Sequence, residues 1–156
     1  MHVNGLPLHP LVVHLVVVLA PAAGILAVLY ALVPRWRWWA RLPLLVSSVV
    51  GALATWLAAA SGDDLKHALG IRGHLIANHE MWAGRLQASM WVIAVVAVAA
   101  WYALPVSTPI EGSDDRDGRT AALHKPLVLV LPLIGVAVMV LVFLTGEAGA
   151  RTVWTG

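Results

Sequence analysis

The sequence contains no cysteine and only two lysines among its 156 residues. The absence of cysteine excludes disulfides, thiolate metal sites, cysteine-held iron–sulfur clusters and covalent c-type haem, which needs C-x-x-C-H. Charge is scarce as well. Asp, Glu, Lys and Arg make up 12% of the chain, against about 25% in an average soluble domain. With 60% hydrophobic residues and a mean hydropathy of +0.84, too little polar surface remains to coat a water-soluble globule. The composition is that of a membrane protein. A net charge of +2 is too small for the pI near 9.5 to argue for a nucleic-acid partner.

Also missing are a phosphate-binding glycine loop and the H-E-x-x-H metalloprotease pattern, since His79-Glu80 is followed by Ala83 where a second histidine would stand. Ser47 and Ser48 fall within an apolar run without a nearby acid, so packing or bonding to carbonyls suits them better than nucleophilic work. A redox carrier or an accessory subunit is expected rather than a self-contained enzyme.

Four apolar segments are present, each long enough to cross a bilayer, at about 10–32, 40–60, 80–104 and 126–145. Leu, Val and Ala dominate them without the period-two alternation of barrel strands. The expectation is one domain over 1–156, an all-α antiparallel four-helix membrane bundle. Pro10 and Pro126 suit helix starts, and Pro21 and Pro132 predict kinks. Ser61-Gly62 and Thr145-Gly146 read as the ends of the second and fourth spans. The N-terminal segment lacks a basic n-region and is read as a mature helix.

Basic residues in short loops set the orientation. Arg35, Arg37, Arg41, Arg116, Arg119 and Lys125 lie in the first and third loops, against Lys66, Arg72 and Arg151 on the opposite side. The loop at about 105–125 is therefore expected in the cytoplasm, with both termini and the second loop facing outward. Within it, Glu111 to Arg119 reads as a solvated hairpin connection. Trp36, Trp38 and Trp39 suit an interfacial aromatic belt.

Histidine is plentiful where lysine is not: there are seven. Under this topology His9, His14, His67, His74 and His79 collect at the outer face, His124 lies at the inner one, and His2 is in the N-terminus. His14 sits roughly 6 Å beyond Pro10 along the first helix. His79 reaches a similar depth if the third helix begins near His74 rather than at an Asn78 cap. Arg85 follows about 9 Å further along, and requires either a counter-charge (Glu80, Glu147, Asp63 or a ligand carboxylate) or an outward, snorkelling path.

Three readings suit this pattern. His14 and His79 hold a b-type haem between helices, with Arg85 or Arg72 on the propionates. Alternatively, a zinc or copper ion is held by ligands drawn from His9, His14, His74 or His79, with or without Glu80. In the third reading the histidines merely bond backbone and headgroups at the interface. The functional expectation is a small haem-binding membrane protein in electron transfer, working with a redox partner. Its rival is a non-catalytic accessory subunit of a larger membrane complex, docking through small residues such as Gly51, Ala52 and Ala54.

The opening Gly5-Leu6-Pro7-Leu8-His9-Pro10-Leu11-Val12-Val13-His14 resembles a bacterial membrane-protein family catalogued as domain of unknown function 2231, which typically opens with His-Pro-x-x-Val-His followed by Phe-Pro. Leu15-Val16 replaces the Phe-Pro here. Gly62 with Asp63-Asp64, His79-Glu80, and Thr145-Gly146-Glu147-Ala148-Gly149 are similar to the family pattern too, so the likeness covers almost the whole chain. It implies a four-helix membrane domain, sometimes fused to Rieske-type iron–sulfur modules, with His9, Pro10, His14, Gly62, His79 and Gly146 at matching positions. With no cysteine in the sequence, such a module is not expected within it, and a separate partner would supply the next redox centre.

Overall fold

The computed structural model describes residues 2–3, 6–70, 72–108, 112–113 and 121–154. Its framework is four helices: α1 (Leu8–Leu32), α2 (Arg37–Leu69), α3 (His74–Ala103) and α4 (Ala121–Trp154). A turn of 3-10 helix, Pro34–Trp36, joins α1 to α2. Two short antiparallel pairs, His2–Val3 with Leu6–Pro7 and Ser107–Thr108 with Gly112–Ser113, precede α1 and α4. The remainder of the segment from Glu111 to Arg119 lies outside the described residues.

All four helices are long and apolar enough to cross a membrane. Each packs against its two sequence neighbours around a ring, α1 also meeting α4, while α1 and α3 stand on a diagonal and barely touch. The protein is an antiparallel four-helix membrane bundle. One end carries the starts of α1 and α3 and is called here the histidine end; the other, with the α1–α2 turn, is the arginine end.

Two helices run past the boundaries expected from hydropathy. α2 continues through Ser61-Gly62 to Leu69, and α4 through Thr145-Gly146 to Trp154. At 1.5 Å per residue each is about 50 Å long, well over a hydrocarbon core of about 30 Å. The extensions are polar: Asp63 lies 3.6 Å from His67, and Glu147 forms an ion pair with Arg151 at 2.6 Å, each one helical turn apart. The true stop of α2 is Gly70, whose φ of 63° is the left-handed conformation that glycine adopts without a Cβ clash. α3 likewise starts at His74, ahead of the apolar stretch.

The core is built from small residues. Ala20, Ala23, Ala27, Ala40, Ala52 and Ala100 are fully buried. Bilayer lipid offers no hydrophobic drive for helix association, so close backbone approach and dispersion must supply it. Backbone meets backbone where α1 and α4 cross at Gly24 and Gly135. A Cβ on either would come within 2.6 Å of the other's carbonyl oxygen. Gly51, Ala52 and Ala54 all point into this interior, so the small residues expected to offer a docking stripe are used for packing within the bundle. Ser47 and Ser48 return their hydroxyls to the Pro43 and Leu44 carbonyls at 2.7 Å, which hides them from lipid.

Gly135→Ala should force α1 and α4 apart and lower stability by about 1–3 kcal/mol. Gly84→Ala, where an added Cβ meets nothing within 4 Å, should raise it by about 0.5–1 kcal/mol. Unfolding in a fixed detergent mixture measures both, and a neutral Gly135→Ala would show that the crossing is not tight.

Candidate functional site

At the histidine end, two imidazoles cross between helices in the same way. His9, on the first turn of α1, places Nδ1 2.8 Å from the Ala58 carbonyl of α2. Its ring lies against Gly62, where a Cβ would be 2.9 Å from Cε1. His79 of α3 places Nδ1 3.1 Å from the Thr145 carbonyl of α4, and its ring lies against Gly149, where a Cβ would be 3.1 Å from Cε1. Each imidazole therefore rests on a carbonyl at one position and a glycine four residues on. The α1–α2 and α3–α4 hairpins are two copies of one arrangement, with Gly62 equivalent to Gly149. The similarity of Ser61-Gly62 and Thr145-Gly146 in the sequence suggests a register three residues away from this. Gly146 itself faces open space.

His14 behaves differently. It is exposed on α1, and its Nδ1 lies 2.6 Å from the Pro10 carbonyl of its own helix. Measured from the arginine end, where α1 closes at Leu32 and α3 at Ala103, His79 corresponds to His9. His14 lies about 7.5 Å nearer the bundle's middle. His14 and His79 thus stand on diagonal helices at different levels, and the structure does not bring them together. Among the described residues there is no group of three His, Cys, Asp or Glu able to hold a metal ion. His67 and His74 are exposed at the ends of α2 and α3, and His124 is half-buried near the start of α4.

In all three of His9, His14 and His79 the Nδ1 atom faces a carbonyl, which only accepts, so Nδ1 carries the proton and donates. The lone pair is left on Nε2. This is the arrangement in which a backbone carbonyl fixes the tautomer of a ligating histidine. For His9 and His79 the same bond also fastens neighbouring helices.

Arg85 is exposed, and its guanidinium stacks over the Trp82 ring at 4.7 Å. Each carboxylate that the sequence offers as its partner is engaged elsewhere: Glu80 with Lys66 at 2.6 Å, Glu147 with Arg151, and Asp63 with His67. The snorkelling path, not a buried ion pair, describes this residue.

Sequence reasoning missed Arg37, taken as a loop charge. It is 3% exposed and donates from Nε to the Tyr30 carbonyl at 2.9 Å, from Nη2 to Ala31 at 3.2 Å and from Nη1 to Pro105 at 3.4 Å. Its position directly after a helix-ending Pro34 turn was the available signal, because the last carbonyls of α1 need donors there.

These features define the class: an integral membrane bundle of two matching helical hairpins, each fastened by a histidine. Residues 5–156 match the family described as predicted membrane protein, domain of unknown function 2231, and the chain belongs to it. No curated protein and no solved structure matches the chain.

His9→Ala and His79→Ala should each destabilise the bundle by about 1–3 kcal/mol, through the lost hydrogen bond and the space left beside the glycine. Arg85→Ala should cost no more than about 1 kcal/mol, the worth of an exposed cation–π contact. A loss of about 3–5 kcal/mol at Arg85 would instead indicate a broken buried pair.

Proposed function

We propose that the protein is a small haem-binding electron-transfer protein of the bacterial inner membrane, carrying its haem on the lipid-facing flank of α1. The observation that supports this reading is His14: an exposed imidazole with its Nδ1 proton committed to the Pro10 carbonyl and Nε2 left as a ligand. Leu11, Leu15, Val17 and Val18 are exposed around it and offer an apolar surface for one porphyrin face. The interior is a poor host, because Val16, Leu86 and Met90 are buried in the packed core between α1 and α3. The pairing of His14 with His79 on one iron is therefore replaced by His14 alone from this bundle. The second axial position is filled by a partner chain, and Arg85, on the diagonal helix, is left out. Such a haem would exchange one electron at iron, at a potential set by its axial ligands and surroundings.

With the positive-inside rule applied to the loops, the histidine end faces outward and the arginine end faces the cytoplasm. A tag after Gly156 should then be reachable from outside intact cells, and a tag at Gly112 protected. The reverse pattern would place the haem at the inner leaflet.

Oxidised and reduced absorption spectra of protein purified after growth with ample haem test the reading. The wild type should show a b-type spectrum, His14→Ala should lose it, and His79→Ala should keep it while melting earlier. A colourless wild type would overturn the proposal.

A further inference from the structure

The described charged residues of the arginine end are basic, and the four acids and two arginines that the sequence carries between α3 and α4 leave that end net positive. Arg35, Arg37, Arg41 and Lys125 lie there, whereas the described acids, Asp63, Asp64, Glu80 and Glu147, all lie at the histidine end. Arg37 is turned inward onto three carbonyls, which satisfy its donors without cancelling its charge. Arg41 stacks on the Trp101 ring at 3.7 Å. Arg35, in the Pro34–Trp36 turn, points outward and is exposed, with its guanidinium 5.7 Å from the centre of the Trp36 ring. Trp36 in turn packs against Trp39, with centroids 6.3 Å apart and planes tilted by 51°. Trp36, Trp38 and Trp39 are all exposed.

We propose that Arg35 and the Trp36–Trp39 pair form a binding site for the headgroup phosphate of an anionic phospholipid in the adjacent leaflet. Exposed indoles settle at headgroup level, with the ring body toward the acyl chains and the N–H toward water. That fixes the depth of the 3-10 turn and places Arg35 among the phosphates. The planar guanidinium forks onto phosphate oxygens in a bidentate way that an ammonium does not reproduce. Behind it, the buried charge of Arg37 adds a positive field that low-dielectric surroundings screen poorly. A net-anionic headgroup therefore binds better than a zwitterionic one, whose own ammonium is repelled.

The test uses the full chain, delipidated and then reconstituted in nanodiscs of phosphatidylcholine with an equal share of phosphatidylglycerol. Lipid retained on the protein after gentle release is counted by native mass spectrometry. Phosphatidylglycerol should be enriched about fivefold for one interfacial basic residue. Arg35→Gln should abolish most of that enrichment and Arg35→Lys restore part of it, whereas Arg151→Gln at the opposite end should leave it unchanged. Trp36→Leu should weaken retention of both lipids. Excess inorganic phosphate should not displace the retained lipid, because the acyl chains hold it. Equal retention of the two lipids by the wild type would overturn the proposal. So would unchanged enrichment in Arg35→Gln, which would assign the Arg35 charge to a loop carboxylate, or full displacement by inorganic phosphate.

Discussion

A polar group inside a bilayer has no water to turn to, and this bundle meets that constraint with carbonyl oxygens. The case on which most depends is Arg37. Its guanidinium gathers the Tyr30 and Ala31 carbonyls at the end of α1 and the Pro105 carbonyl just after α3. One side chain at the start of α2 thus closes the ends of two other helices. The carbonyl ends also carry the negative pole of each helix dipole, so a cation there is favoured twice, by hydrogen bonds and by the field. With no carboxylate in the arrangement, planarity and five donors are what suit arginine to it, and lysine could not span the three acceptors.

The histidine end solves a related problem by different means. Carbonyls in mid-helix already accept a bond from the following turn, yet each has a second lone pair. His9 shares that of Ala58 with the Ser61 hydroxyl, and His79 uses that of Thr145. A ring can approach so closely only where the facing helix has no side chain, which is why Gly62 and Gly149 stand opposite. The two hairpins correspond about an axis along the bundle, as expected of parallel repeats whose equivalent helices run the same way. The same register carries Gly24 of α1 onto Ala94 of α3 and Gly135 of α4 onto Ser48 of α2. Ala94 and Ser48 are buried too, so the equivalent positions in the other half are also filled by small residues.

Hydropathy made the number of helices, their class and their antiparallel order legible, because a bilayer imposes a minimum apolar length that few other structures satisfy. The ends were less so. Gly62 reads equally well as a helix stop or as a seat for a ring, and only the neighbour across the gap, His9, decides between them. Arg37 was hidden for the same reason: positive residues near a span usually sit in water, and nothing local distinguishes the one that folds back. The likeness of His9, His14 and His79 in the sequence also concealed two different environments. Spacing from a helix start gave depth only as well as that start was known, and α3 begins further out than α1.

The repeat offers a way to separate what builds the bundle from what it is for. Positions filled alike in both halves, such as His9 with His79 and Gly62 with Gly149, are accounted for by packing. Positions filled differently need a reason of their own, since the other half manages without them. On the register set by the two fastened histidines, His14 falls on Gly84, Leu15 on Arg85, and Arg37 on His124. Arg37 has a packing reason of its own, and Arg85 has found an aromatic neighbour at the surface. His14 has neither. It crosses to no other helix, supports no crossing, and leaves an imidazole exposed in an apolar belt at a depth where a polar group is costly. Because its counterpart is a glycine facing open space, the fold does not account for His14, which is why the proposed haem site is placed on it.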